Sequence, residues 1–142
     1  AMGINKYNSE GYLDLTAYDA LMAIEKEAKQ SAYKPLVFIC SPFAGDEKLN
    51  LMRARRYCRF AVSQNKIPIA PHLLFPQFME DDCPKQRKLA IFMGLVLLSK
   101  CKELWYFGDT ISPGMSIELA KARKRNIPIK QFTVDCTEVG DD

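Results

Sequence analysis

The residues best suited to chemistry cluster in "GDTISPGMSIE", residues 108–118. Asp109 follows a hydrophobic run, Ser112 and Gly114 open a helical pattern, and Glu118 lies one turn further in. Free amides at a helix start, together with the helix dipole, favour an anion or a developing negative charge. Gly114 lets a ligand approach the backbone, with Met115 beside it. Asp109 arrives from a strand end, so the spacing predicts two carboxylates, Asp109 and Glu118, flanking one pocket. Cleavage of a glycosidic bond uses such a pair, one acid as nucleophile and the other as acid or base. Each also has a simpler role open to it: Glu118 as a surface acid near a helix start, Asp109 as a cap or turn residue.

Two further segments would share that place. "SPFAG", with Ser41, Phe43 and Gly45, follows the apolar run "LVFIC" (36–40), and "PHLLF", with His72, follows "KIPIA" (66–70). Both runs read as strands, the first as one buried on both faces of a parallel sheet. "ELWYFG" (103–108) and "IPIKQFT" (127–133) are the third and fourth. Helical patterns run from Glu47 to about Asn65, from about Pro84 to Ser99, and over 113–126. Strands alternating with helices at this spacing predict an α/β fold, an open parallel sheet of four to five strands with helices on both faces. Ligands in such sheets bind at the carboxyl ends of the strands, near the point where strand order reverses.

The extension, 1–34, carries a short amphipathic helix expected to pack on the domain, with Thr16 as its cap. The α/β domain is expected over 35–134 and a polar tail over 135–142. The stretch 71–88 reads as a long, proline-broken loop that is functional or a lid. The helix ending at Ser99 is apolar almost all round in its second half, which predicts a subunit interface over 89–98.

The totals narrow the field. A chain of 142 residues that is 48% hydrophobic supports one core. A net charge of +3 does not call for nucleic acid or a membrane surface. Arg55, Arg56 and Arg59 read as a solvated face, with Arg53 nearest the ligand end. The longest apolar stretch, 89–98, is half of what a bilayer needs, so no membrane partner is expected. The start lacks the layout of a signal peptide, Ala1 before Met2 reads as a cloning scar, and a cytoplasmic location is expected. Five scattered cysteines without a C-x-x-C pair suit reduced thiols, with Cys40 in the core. One histidine cannot build a His-rich metal centre, and no cofactor is expected.

"LVFICSPFAG", followed downstream by "ELWYFGDTISPGMSIELAKARKRNIPI", resembles the nucleoside 2-deoxyribosyltransferase superfamily over roughly residues 36–132. It is most similar to the branch of 2'-deoxynucleoside 5'-phosphate N-hydrolases and to uncharacterised bacterial and phage deoxyribosyltransferase-like proteins with "PHLLFPQF" and "ISPGM" signatures. The resemblance implies a flavodoxin- or Rossmann-like domain, a nucleoside or nucleoside monophosphate as substrate, and a homodimer that completes each pocket. It implies that Glu118 attacks C1' to form a glycosyl ester and that Asp109 binds the sugar or helps protonate the base. Ser112 and the loop with Ser41, Phe43 and Gly45 would hold a 5'-phosphate. The transferases' acidic run before the helix is replaced by Thr110, Ile111, Ser112 and Pro113; Ser112 favours the phosphate branch, and the missing run favours a binding module without chemistry. The first loop has fewer glycines and arginines than the hydrolases carry, a lack for which Arg53 could compensate. A non-catalytic nucleotide-binding module on the same fold, or a domain built for assembly alone, stay open as alternatives.

Overall fold

The computed structural model describes residues 15–30 and 34–140. The chain divides into two compact units, residues 1–33 and 34–142. In the first, α1 spans Leu15–Gln30. Thr16 is already helical there, so it cannot be the cap, whose backbone lies outside the helix. The rest of the extension at 1–14 and 31–33 and the last two tail residues lie outside the described residues.

The second unit is an α/β layer built on four parallel strands: β1 (Leu36–Cys40), β2 (Ile67–Ile69), β3 (Glu103–Phe107) and β4 (Ile129–Phe132). Their order is β2-β1-β3-β4, so the chain steps one way from β1 to β2 and the other way to β3 and β4. The strand period of two splits the apolar run of β1 between both faces. Val37 and Ile39 meet Tyr57 and Ala61 of α2 (Glu47–Ser63), while Phe38 and Cys40 meet Leu98 of α4 (Pro84–Ser99) and Met115, Leu119 and Ala122 of α5 (Pro113–Lys124). Helices therefore cover both faces, as the alternation predicts. On the α2 face, Tyr57 stacks on Phe107 with centroids 4.0 Å apart, and Phe60, Trp105 and Phe132 complete an aromatic cluster. Each such pair adds about 0.5–1.5 kcal/mol beyond its buried area.

Helices α2 and α5 end alike. Asn65 and Asn126 take left-handed backbones, φ 61° and 57°. The amides of Lys66 and Ile127 then reach back to the carbonyls of Ala61 and Ala122 at 3.0 and 2.9 Å. This is the motif that an asparagine just past a helix end permits, and in both cases it delivers the chain into an Ile-Pro-Ile segment. Asp46 caps the start of α2, accepting from the Leu49 amide at 3.1 Å.

The proline-broken stretch is more regular than a loop. Pro71 starts α3 (Pro71–Leu74), where its missing N–H costs nothing, and a 3-10 turn follows at Phe75–Gln77. In α4, Gly94 and Leu98 are buried, whereas Leu89, Ile91, Phe92 and Val96 are exposed. After β4 the chain turns back: Phe132 bridges Glu138 in antiparallel fashion, and the Val139 amide donates to Gln131 at 2.9 Å.

Candidate active site

Ser112 caps α5, its hydroxyl accepting from the Met115 amide at 3.2 Å. Met115, Leu119 and Ala122 then follow at helical spacing and seat the helix on the sheet. Glu118 lies between them, three residues after Met115 and four before Ala122, a position that would ordinarily carry an apolar side chain. Its Oε1 is buried and has no hydrogen-bond partner. Burial raises the Glu118 pKa to about 7, a rise that the neighbouring Cys40 thiol partly offsets. That thiol is itself pushed far up, by burial first and then by the Glu118 charge. Cys40 stays protonated, its thiol donating to the Met115 carbonyl over a long S···O distance of 3.9 Å.

Glu118 faces a cavity of about 120 Å³, roughly ten times what one water needs. Phe43, His72 and Gly114 line it as well. The rings of Phe43 and His72 are 5.1 Å apart at 31°. His72 Nε2 lies 3.1 Å from the Ser41 carbonyl, which can only accept, so Nε2 carries the proton and Nδ1 is left as an acceptor. Burial lowers the His72 pKa, outweighing the opposite effects of that hydrogen bond and of Asp81. The ring is neutral at pH 7. A Cβ at Gly114 would meet no atom within 4 Å, so this glycine keeps space open at the wall and relieves no clash.

Ser41, Arg53 and Asp109 do not join this group. They line a second recess, with Asn50 and Tyr57 of α2 and with Thr110, at the carboxyl ends of β1 and β3. Strand alternation accounts for Ser41: Cys40 turns toward α5, so the next side chain turns toward α2. Ser41 is 2% exposed, and its hydroxyl has no partner. Asp109 is exposed and receives the Thr110 hydroxyl at 3.4 Å. It follows Gly108, whose φ of 97° turns the chain out of β3. The expected pair of carboxylates over one pocket is thus divided between two neighbouring recesses.

Three expected residues line neither. Met115 is a core side chain, 1% exposed, because it opens the buried stripe of α5. Ser112 is engaged as the cap. Gly45 forms the left-handed turn before α2, φ 97°, its carbonyl accepting from Glu47 at 3.0 Å.

The sequence reading missed the cavity's far wall, made by Phe75, Met79, Ala90, Ile91 and Leu95. The signal was Gly94, a glycine in mid-helix. It is buried, and a Cβ there would sit 3.7 Å from Pro71, so its small size brings α3 and α4 close together. Among the described residues, no three His, Cys, Asp or Glu side chains gather as a metal site requires, and no helix is long and apolar enough to cross a membrane.

No curated protein matches the chain. A similar solved structure is that of a 2-deoxyribosyltransferase from the psychrotolerant bacterium Bacillus psychrosaccharolyticus, with a TM-score of 0.55 at 17% identity over 75% of this chain and 77% of that one. At that identity the likeness is one of fold: both chains build the same kind of α/β sheet. Residues 35–132 match the family model described as "Domain of unknown function (DUF7768)", and the chain belongs to that family.

Proposed function

We propose that the protein cleaves the N-glycosidic bond of a nucleoside or nucleoside monophosphate, as a hydrolase or a 2-deoxyribosyltransferase, with Glu118 as the nucleophile. The observation behind this reading is the Glu118 carboxylate, which opens onto a largely apolar cavity with a buried oxygen that no group of the protein satisfies. A buried polar atom of this kind is rare and calls for an explanation, and a ligand atom is one.

The ionised carboxylate bonds to C1' as the C1'–N bond breaks, and the electron pair leaves with the base, which takes a proton from water. Water then cleaves the ester and restores Glu118, or a second base takes the sugar. The step needs neither metal nor redox cofactor. Phe43 and His72 stack on the base. Asp109 meets the sugar hydroxyls from the neighbouring recess, and Ser41 and Arg53 there receive a 5'-phosphate, as the hydrolase branch would require. The backbone at Gly114 closes the sugar end. A second copy of the chain covers the exposed Leu89, Phe92 and Val96 of α4.

The test is release of free base from a panel of deoxynucleosides and their monophosphates, followed by chromatography. Wild type releases base and Glu118→Ala does not; an active Glu118→Ala protein refutes the assignment. One observation favours a second reading, a nucleotide-binding module without chemistry: Asp109, the expected partner acid, lies outside the Glu118 cavity. Tight binding with no base release across the panel would select it.

A further inference from the structure

The lining of the Glu118 cavity is mostly apolar, and part of the hydrogen-bonding capacity of Glu80, Asp81, Gln86 and Arg87, which also line it, is engaged within the protein. Gln86 Oε1 accepts from the Glu80 amide at 2.6 Å. Arg87 Nε and Nη2 donate to the Asp81 carbonyl at 3.1 and 2.9 Å, and the guanidinium pairs with the Asp81 carboxylate at 3.7 Å. Glu118 and His72 line the same cavity, the one with an unpartnered buried oxygen and the other with Nδ1 left as an acceptor. Phe75, Met79, Ile91 and Leu95 give the cavity an apolar wall.

A ligand whose sugar carbon sits over Glu118 and whose base stacks on Phe43 and His72 must turn one edge of that base toward this wall. A carbonyl or amino group placed there loses its water and finds no partner, whereas an alkyl group loses nothing and gains packing. Ile91 has its side chain free to make that contact, being 41% exposed and on the cavity wall. We infer that the cavity selects a nucleobase that carries an alkyl substituent, with Ile91 and Leu95 as the residues that recognise it. The inference rests on the reading of Glu118 as the sugar-facing group and adds the class of leaving group.

The test uses Glu118→Gln protein, which keeps the cavity and lacks the nucleophile. Affinities are measured by calorimetry for two pairs, thymidine against 2'-deoxyuridine and N6-methyl-2'-deoxyadenosine against 2'-deoxyadenosine. In at least one pair the methylated member binds about tenfold more tightly, the lower range for one methyl group in an apolar pocket. Adding Ile91→Gln, at a position exposed enough to tolerate it, removes the preference. Equal affinities in both pairs, a preference for the unmethylated members, no binding of any of the four, or a preference that survives Ile91→Gln overturns the inference. Wild-type protein that releases no base, while the Glu118→Gln protein still prefers the methylated ligand, overturns the glycosidase reading alone.

Discussion

The imidazole of His72 donates to the carbonyl of Ser41 at 3.1 Å, so a single residue of the chain serves two recesses. Its backbone anchors the aromatic pair of the apolar cavity, and the residue also lines the second recess with Arg53. Removing the imidazole frees the carbonyl of a buried residue and opens one wall of the cavity together. His72→Ala is expected to cost about 1–3 kcal/mol in urea denaturation and to weaken nucleoside binding. Because the folded pKa lies below the ordinary value of 6.5, the folded state takes up its proton later than the unfolded chain. The His72 contribution is therefore complete above 6.5 and is lost as pH falls through the lowered folded value. Wild-type and His72→Ala stabilities should converge toward acid; a gap that stays constant would contradict the assignment.

Glu118 has the opposite linkage. Its pKa is about 7 when folded against an ordinary 4.5, so the folded state holds a proton that the unfolded chain has released. Stability falls as pH rises from about 4.5 to about 7 and levels off above, a difference of about 3 kcal/mol at about 1.4 kcal/mol per pKa unit. Glu118→Gln should raise the melting temperature more at pH 8 than at pH 5. Base release by wild type should climb through pH 7 as the nucleophile ionises, and Glu118→Gln should lower it by at least about a thousandfold.

Ser41→Ala separates ligand binding from folding. Its hydroxyl is buried without a partner, so replacement by alanine leaves stability unchanged or raised. A loss above about 1 kcal/mol would mean that the hydroxyl is held by the fold.

Arg53→Ala should raise KM for nucleoside monophosphates about tenfold or more and leave KM for the parent nucleosides nearly unchanged, because Arg53 meets the phosphate and Asp109 the sugar in the second recess. An equal effect on both substrate types would place the phosphate elsewhere.

Phe92, at 63% exposed, tests the assembly. Phe92→Glu should shift sedimentation from dimer to monomer while the circular dichroism spectrum is kept; a wild-type monomer rules out the α4 contact.

Much of this was legible in the residues. The run at 36–40 announced a strand buried on both faces, and the alternation of elements announced the parallel sheet. Glu118 drew notice only for its place one turn past Ser112 and Gly114; its burial was a further signal left unread, an acid between Met115 and Ala122 on the buried stripe of α5. The division of Asp109 from Glu118 was not legible. It depends on which side of the sheet the chain leaves after the left-handed turn at Gly108, and closeness in sequence carries no information about that side. Likewise, the apolar residues of α4 have one composition but two uses: Leu95 and Ile91 wall a cavity while Phe92 faces out, and only the placement of Pro71 against Gly94 separates them.

The outermost strands of the sheet, β2 and β4, are stopped from recruiting a further strand in two different ways. The Ile67 amide points inward to Pro35, so the next position along β2 points away from the sheet, and it is Pro68, which has no hydrogen to offer. On β4 the outward carbonyl of Gln131 is already taken by Val139. An unfamiliar chain approaching either edge finds part of its ladder missing, which guards an open, strongly apolar sheet against fibrous aggregation.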